Sequence, residues 1–305
     1  KRNSRVHDTI SSVPRHPVAI LLNRMMLDGN ALAKKILTRL QAQITQQDLK
    51  PCLAIVSVGY HEPSYFYFRK IEEEATRIGI RIEKRMLLNE ATEQQVVDTI
   101  TQLNNNPAIT SILLQFPLPP HIQEKEIVAS ISPRKDVDGF HPVNREALLA
   151  GTPRRVPPAI AAIAYILESL KIDLAGKSTV VLVHSIIFGE LLKAQLRLLR
   201  LTPELMVINL PAEMSAKKNL QQLKAADIVV SALGFPGIIQ ESWLKQGVIL
   251  LDLGFSRKGG VMMGDMRLPA TSKVPSYYTP VPGGVGPVTA AMLLKNVVEA
   301  AKKTL

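Results

Sequence analysis

The sequence predicts two α/β domains around a cleft. Short apolar runs alternate with amphipathic stretches along the whole chain of 305 residues, a pattern typical of parallel strands joined by helices. In the second half these runs are apolar at nearly every position, as expected for strands that are buried on both faces of a sheet. We therefore expect an α/β domain followed by a Rossmann-like, doubly wound parallel sheet.

The first half alternates between predicted helices and strands. A helix is predicted over 31–46, because apolar residues recur every four positions from Leu32 to Ile44. The apolar run 52–58, which ends at Gly59, predicts a buried strand, and a helix through Tyr67 and Ile71 follows it. The remaining elements are a strand over 81–87, a helix over 93–104 and a strand over 111–114.

The second half begins after a segment rich in proline and arginine, 152–158, which marks the crossing between the domains. The boundary between the two domains is therefore expected near residue 151. Short apolar runs predict strands over 178–183, 205–210, 228–232 and 248–253. Helices are expected over 187–201 and 288–302.

The composition argues against several kinds of site. The single cysteine, Cys52, excludes an intramolecular disulfide and a cysteine-based metal site, and it fits a reducing compartment. No zinc-protease, paired-cysteine or calcium-loop motif occurs, so no metal is expected. No apolar run approaches the roughly 20 residues that a transmembrane helix needs, so no membrane span is expected.

The net charge of +11 suggests partners with acidic surfaces, among them RNA, because a basic surface attracts nucleic acid through a salt-sensitive field. Lys193, Arg197 and Arg200 are spaced as a stripe on a helix, although such a stripe is more often a solvated face. Residues 1–25 form a basic extension, poor in acids and containing arginine and serine, which is typical of a mitochondrial transit region. We expect the mitochondrial matrix as the location, with the extension and the stripe as candidate RNA contacts.

Four segments carry a resemblance to a known family. They are the stretch 63–80 with its Ser-Tyr-Phe-Tyr, the Gln-Phe-Pro-Leu-Pro at 115–119, the Lys-Asp-Val-Asp-Gly-Phe-His-Pro at 135–142, and the Pro-Gly-Gly-Val-Gly-Pro at 282–287. In this order they resemble motifs of the methylenetetrahydrofolate dehydrogenase/cyclohydrolase family. The resemblance implies a folate-side domain at 26–150, completed by a returning C-terminal helix at 287–305, and an NAD(P)-binding-type domain at 151–286.

Where the family has a catalytic lysine, this chain has Ile71. The family reads Ser-x-x-Tyr-Val-x-x-Lys with a Gly-Ile eight residues later, and counting from Ser64 or back from Gly79 leads to Ile71 both times. Lys70 is adjacent, but one helical step of roughly 100° points its side chain elsewhere. Since cyclohydrolysis requires proton transfers and isoleucine can neither donate nor accept a proton, cyclohydrolase activity is predicted to be lost.

The resemblance implies further folate-side residues. Tyr67 would stack beside the folate, while Gln115 and Asp138 would bind or orient the pterin. A loop would line the cleft with Pro282, Gly283 and Gly284, the glycines letting backbone approach the ligand closely. The alternative, that these residues persist only as scaffold, stays open.

The cofactor side departs further from the family pattern Gly-Arg-Ser-x-x-Val-Gly-x-Pro. Ser185 and Gly189 remain as remnants, but the glycine, arginine and proline are replaced by Val183, His184 and Leu191. A β-branched valine is a steric objection to a tight turn near a pyrophosphate. Where relatives read Cys-His-Ser, this chain has Asn209-Leu210-Pro211. The pairs Asp252/Gly254 and Gly264/Asp265 persist as pieces that maintain the fold.

These replacements favour a degenerate family member that binds no cofactor and is not an enzyme. It would act as a structural or partner-binding subunit, alongside other protein subunits, in a mitochondrial assembly of which RNA is an open component. The alternative is a monofunctional NAD(P)-dependent 5,10-methylenetetrahydrofolate dehydrogenase, which would use NAD or NADP and form a homodimer. A third alternative is a folate or nucleotide sensor that binds without chemistry.

Overall fold

The computed structural model describes residues 25–59, 62–258, 261–269 and 272–302, without the side chains of 62–67 and 258. The predicted N-terminal extension, apart from residue 25, lies outside the described residues. The helices are α1 (Gly29–Gln46), α2 (Glu62–Arg77), α3 (Glu93–Asn105), α4 (Glu124–Ser130), α5 (Pro142–Leu149), α6 (Pro158–Ser169), α7 (Ile186–Leu198), α8 (Lys217–Ala225) and α9 (Val285–Lys302). Short 3₁₀ helices cover Pro211–Ser215 and Glu241–Trp243.

The strands follow the same alternating order. They are β1 (Met25–Met26), β2 (Cys52–Val58), β3 (Arg81–Leu87), β4 (Ser111–Leu114), β5 (Ser178–Val183), β6 (Thr202–Val207), β7 (Ile228–Ala232), β8 (Ile239–Gln240), β9 (Val248–Asp252), β10 (Ser256–Lys258), β11 (Val261–Met263), β12 (Met266–Arg267) and β13 (Pro275–Tyr278).

The first half of the chain builds a small parallel sheet of three strands in the order β3-β2-β4. Its central strand, β2, is buried at every position, so both faces are covered. The side chains of β2 alternate between two apolar clusters. Leu53 and Ile55 join α1 and α2 on one face, whereas Ala54 and Val56 join α3 and α4 on the other.

The second half builds a parallel sheet of six strands in the order β1-β13-β9-β7-β5-β6. The chain runs from β5 out to the edge strand β6 and then returns to the other side of β5 as β7, so the strand order reverses beside β5. Ligands of open α/β sheets bind outside the carboxyl ends of the strands at such a reversal. The predicted fold class is confirmed: two α/β units, the second with a Rossmann-like parallel sheet.

One apolar cluster is continuous from the small sheet to the large one. It contains Ile36 of α1, Ile71 of α2, Ile163 of α6, Val183 of β5 and Val297 of α9. Helix α9 packs against both α1 and α6. The last helix thus returns to the first half of the chain, and the two sheets share a core.

Several element boundaries differ from the predicted ones for local reasons. Helix α1 begins at Gly29 because the Asp28 carboxylate accepts hydrogen bonds from the N–H groups of Asn30 and Ala31. Helix α7 ends at Leu198, before Arg200, which takes a φ of +60°. Strand β6 covers 202–207 rather than 205–210. As an edge strand it tolerates a proline and exposed polar residues, so its apolar run starts late.

None of the described helices combines the length and apolar character needed to cross a bilayer. Within the described part of the chain, no group of histidine, cysteine or acidic side chains is arranged to hold a metal ion.

Candidate active site

Ile71 is a core residue of the folate-side half. It lies in α2 with 1% of its surface exposed, and it belongs to the same apolar cluster as Leu53, Ile55 and Leu113 of the small sheet. The position therefore carries no reactive group and is filled with hydrocarbon. Tyr67 lies within the bounds of α2, but its side chain is outside the described part of the structure.

Gln115 lies directly after β4, where its backbone N–H donates to Val56 O at 2.8 Å. It borders a cavity of about 50 Å³ at the carboxyl ends of β2, β3 and β4. The Gln115 carboxamide has no hydrogen-bond partner among the described residues, so it is free to bind a ligand. The other lining residues are Ile55, Ser57, Phe68, Arg69, Glu72, Lys84 and Met86.

Sequence reasoning missed the charged pair in this cavity. The Lys84 ammonium on β3 lies 2.6 Å from the Glu72 carboxylate on α2, one step along the helix from Ile71. The alternation of side chains along β3 could have placed Lys84 on the helix-covered face, but its partner depends on how α2 crosses the sheet.

Asp136 and Asp138 belong to the loop between α4 and α5 and have different surroundings. The Asp136 carboxylate accepts from Gly139 N, His141 N and Asn144 Nδ2 at 2.9, 2.9 and 2.8 Å, so it holds the loop together. No described residue donates to the Asp138 carboxylate. Burial, and secondly the charge of Asp136, raise the pKa of Asp138 to about 7. Because Ile71 supplies no ammonium, nothing at that position opposes the rise.

The loop with Pro282, Gly283 and Gly284 connects β13 to α9 and is held against the start of α1. The N–H of Gly29 donates to Gly283 O at 2.9 Å, and a Cβ on Gly29 would collide with the Gly284 carbonyl. Gly283 itself has a φ of +99°, which favours glycine. The predicted cleft-lining loop thus also fixes the N-termini of two helices.

The turn from β5 into α7 retains the two family residues. Ser185 is the N-cap of α7, and its Oγ accepts from Phe188 N at 3.3 Å. A Cβ on Gly189 would lie 2.5 Å from Leu205 Cδ1 and 2.8 Å from Val183 Cγ2, so the glycine allows α7 to pack tightly on the sheet. Both residues have a structural reason for being there.

The steric objection to Val183 is wrong. Val183 is the last residue of β5, pairs with Val207 and Ala232, and is 1% exposed. Its side chain packs under α7 against Gly189 rather than into the turn. The exposed residue at the strand end is His184, whose ring meets the edge of Phe235 at 4.7 Å between centroids.

The carboxyl ends of β5, β6 and β9 carry exposed apolar side chains. They are Ile186 and Ile187 at the start of α7, Leu210 after β6 and Phe255 after β9, of which Ile186, Leu210 and Phe255 are more than 60% exposed. This apolar rim surrounds the reversal point of the large sheet. It has the character of a site for a ligand with flat, apolar rings.

Two buried aspartates hold the strand ends beneath the rim. Asp265 accepts from Ser231 Oγ, Leu233 N and Phe235 N at 2.6, 2.7 and 2.9 Å. Asp252 accepts from backbone N–H groups, including that of Met266 at 2.9 Å. Burial first, and the charge of Asp265 second, raise the pKa of Asp252 to about 7. These carboxylates tie the loops after β7 and β9 together.

The basic stripe is not continuous. Lys193 pairs with Glu190 of the same helix at 3.5 Å, Arg197 is exposed, and Arg200 lies beyond the end of α7. Contact with RNA through these residues stays a prediction.

Each half of the chain matches a known protein domain family. Residues 27–138 match the model "Tetrahydrofolate dehydrogenase/cyclohydrolase, catalytic domain", and residues 157–305 match "Tetrahydrofolate dehydrogenase/cyclohydrolase, NAD(P)-binding domain". The chain is 38% identical over 282 residues to the bifunctional protein FolD 2 of Geobacter sulfurreducens, covering 91% of this chain and 96% of that protein.

Solved structures give the same picture. The bifunctional FolD methylenetetrahydrofolate dehydrogenase/cyclohydrolase of Campylobacter jejuni is 33% identical with a TM-score of 0.87, covering 93% of this chain and all of that one. The Trypanosoma brucei dehydrogenase-cyclohydrolase, complexed with NADP and an inhibitor, is 31% identical with a TM-score of 0.84, covering 92% and 98%.

The prediction that the chain is not an enzyme is wrong. Its relatives, across nearly its whole length, are named as bifunctional dehydrogenase/cyclohydrolases. The prediction that it binds no cofactor has no support either, because the match over 157–305 is to an NAD(P)-binding domain. A role as a non-enzymatic subunit of an assembly likewise finds no support.

Proposed function

This chain belongs to the tetrahydrofolate dehydrogenase/cyclohydrolase family, and we propose that it is an NAD(P)-dependent 5,10-methylenetetrahydrofolate dehydrogenase with little cyclohydrolase activity. The observation that carries this proposal is Ile71, buried in hydrocarbon where cyclohydrolysis would need a lysine, while the frame of the dinucleotide side is intact.

The dinucleotide side fits its cofactor in two respects. The first-turn N–H groups of α7 that Ser185 does not occupy would bind the pyrophosphate, whose charge the helix dipole also favours. The lack of a Cβ at Gly189 keeps α7 close to the sheet, so that this helix end lies at the reversal point. The nicotinamide, when bound, supplies the hydride acceptor.

The chain's own residues would then orient the substrate. Gln115 and Asp138 both have free polar atoms, and a pterin offers an amide edge with donors and acceptors to match them. The exposed side chains of Ile186, Ile187 and Phe255 would cover the rings of the ligand and keep water from the reacting carbon.

Cyclohydrolysis would lack its proton donor. General acid–base catalysis contributes typically about 10²–10⁴-fold, and the Ile71 side chain can supply none of it. The methenyl product of hydride transfer would therefore be released faster than it is hydrolysed.

The test uses the purified protein with methylenetetrahydrofolate and either NAD⁺ or NADP⁺. We expect reduced dinucleotide and the methenyl product to accumulate in equal amounts. Reduced dinucleotide without methenyl accumulation would mean that hydrolysis still occurs, which would sink the monofunctional assignment. Absence of reduced dinucleotide with both cofactors would sink the dehydrogenase assignment.

The location in the mitochondrial matrix remains a proposal supported by the composition of residues 1–25, and the contact with RNA or with other protein subunits remains a proposal supported by the net charge. A homodimer is the assembly that we propose for the active enzyme. Sedimentation of the purified protein, with and without added RNA, distinguishes a dimer of twice the chain mass from a monomer or a nucleoprotein complex.

A further inference from the structure

Glu213 lies at the carboxyl end of the edge strand of the large sheet. It belongs to the 3₁₀ helix Pro211–Ser215, which follows β6. Its carboxylate Oε2 accepts a hydrogen bond from the N–H of Asn209 at 2.8 Å, so the side chain folds back onto the end of the strand. One carboxylate oxygen is thereby fixed, and the other, Oε1, has no hydrogen-bond partner among the described residues.

The same carboxylate borders a cavity of about 260 Å³ along the outer edge of β6. Among the described residues of its lining, the charged ones are Glu204, Glu213 and Lys218, two carboxylates against one ammonium. The arginines of α7 do not offset this, because Arg197 and Arg200 lie near the C-terminal end of that helix, where the chain enters β6 at its amino end. The local charge is net negative.

Glu213 lies where dinucleotide-binding sheets commonly have an acidic residue that binds the adenosine ribose. The adenosine ribose lies at the carboxyl end of the second strand of the unit, where an acidic residue about 20 positions after the glycine motif accepts from the 2′-hydroxyl. Glu213 comes 24 residues after Gly189. Strand β6 is that second strand, since it pairs with β5 and follows α7.

We propose that Glu213 determines the dinucleotide specificity of this enzyme, accepting a hydrogen bond from the ribose 2′-hydroxyl of NAD and repelling the 2′-phosphate of NADP. This inference rests on the proposed dehydrogenase function. The 2′-phosphate carries a charge of roughly −1.5 to −2 at neutral pH, so a fixed carboxylate beside it is unfavourable. Lys218 is the one cation that opposes this effect in the lining, and it is exposed at the start of α8.

The experiment measures the binding of NAD⁺ and NADP⁺ to the full chain by titration calorimetry. Adenosine 5′-diphosphate and its 2′-phosphorylated analogue are titrated in parallel, because they isolate the adenosine half of the site. We expect NAD⁺ to bind at least ~10-fold more tightly than NADP⁺, and the preference to shrink as salt is raised.

Two substitutions then assign the preference to Glu213. Glu213→Gln keeps an oxygen for the N–H of Asn209 and removes only the charge, so it should bind NADP⁺ ~10-fold more tightly than the parent while NAD⁺ binding does not improve. Glu213→Arg should move the preference towards NADP⁺. Glu168→Gln is the matched control. It removes an exposed charge from the end of α6, which precedes the amino end of β5, whereas Glu213 follows the carboxyl end of β6, and it should leave the ratio unchanged.

The possible outcomes distinguish a failure of the Glu213 inference from a failure of the proposed dehydrogenase function. NADP⁺ binding as tightly as NAD⁺, or more tightly, would overturn the role of Glu213 and point to Lys218, while leaving the dehydrogenase intact. A parental preference for NAD⁺ that survives Glu213→Gln, in a variant with an unchanged melting temperature, would overturn it as well. If neither dinucleotide binds, the proposed dehydrogenase function fails, and the inference fails with it.

Discussion

The two halves of the candidate site differ in which part of the chain does the binding. On the folate side, function would depend on side chains, and one of them, at Ile71, has become part of the core. On the dinucleotide side, the residues around His184 and Leu210 depart from the pattern that the resemblance predicts, but the backbone that would hold a pyrophosphate has a helix cap at Ser185 and close packing at Gly189. A binding site formed by backbone N–H groups keeps its function after side-chain replacement more readily than a site that depends on one lysine side chain.

The largest expected effect would come from restoring the amine. Ile71→Lys should raise cyclohydrolase activity by about 10²–10⁴-fold, because it places an ammonium where the spacing from Ser64 and Gly79 predicts the catalytic lysine. The rate of methenyl hydrolysis measures this directly. Ile78→Lys is the matched control, since Ile78 is also 1% exposed but lies beyond the end of α2.

That control should lose stability without gaining activity. A folded Ile71→Lys protein whose hydrolysis rate stays at the parental level would show that more than the lysine is missing from the folate side.

The next effect concerns the two aspartates whose pKa values are raised to about 7, Asp138 in one half and Asp252 in the other. An unfolded aspartate has a pKa of about 3.9. The folded state therefore holds the proton more tightly, and the stability from this source is present below about pH 4 and lost as the pH rises through about 7.

Replacement of these two aspartates by asparagine should have opposite effects on stability in the two halves. Asp138→Asn removes an unpaired acid, so it should stabilise the protein at pH 8 by up to about 4 kcal/mol and flatten the pH profile. Asp252→Asn should destabilise it, because an amide NH₂ would face the backbone N–H groups that Asp252 now accepts from. Denaturant titrations from pH 4 to 8 test both. Equal behaviour of the two variants would contradict the difference in their surroundings.

A smaller effect is expected from the glycines of α7 and α9. Gly189→Ala should cost about 1–3 kcal/mol of stability and weaken dinucleotide binding, since the new Cβ would push α7 away from Leu205 and Val183. Gly286→Ala is the control in α9, where a Cβ meets no atom within 4 Å. The control should leave stability unchanged or raise it slightly. Similar losses in both variants would argue against close packing as the role of Gly189.

The smallest effect is expected from the helix caps. Ser185→Ala should cost about 1 kcal/mol and reduce dinucleotide affinity, whereas Thr92→Ala, which removes the cap of α3 in the other half, should cost a similar amount and leave that affinity intact. Melting temperatures and dinucleotide titrations on both variants make the comparison. A loss of affinity in the Thr92 variant would show that the effect is global.

Local patterns predicted the fold class and most elements, because the strands are short, apolar and separated by clear breaks. The predicted boundaries were wrong where the local apolar pattern and the pairing between strands disagree. Strand β6 starts earlier than its apolar run, because only pairing with β5 makes Thr202 and Pro203 part of a strand. Val183 ends the strand that was predicted over 178–183, but the sequence could not show that its side chain packs under α7 against Gly189.

The sequence predicted those features of the candidate site that depend on the identity of one residue. It did not predict those that depend on contacts between residues far apart in the chain. The absence of a lysine at Ile71 can be read from the chain, but the pairing of Lys84 with Glu72 depends on the crossing of a strand and a helix. The fold-back of Glu213 onto Asn209 is likewise a product of the turn after β6. The prediction of an inactive chain was based on replaced side chains, whereas the backbone around Ser185 and Gly189 keeps the geometry of a dinucleotide site.

The pairing of β1 with β13 has a consequence for anyone who would divide this protein. Residues Met25 and Met26 complete the large sheet, although the helix that follows them packs on the small one, and α9 returns from the large sheet to α1. A fragment cut at the crossing near residue 151 and ended before α9 would therefore leave β13 as a bare edge and uncover the apolar faces of α6 and the sheet. Such a fragment is a template for aggregation. The sequence divides into two domain-sized halves, but the shared sheet and core join them into one folded structure.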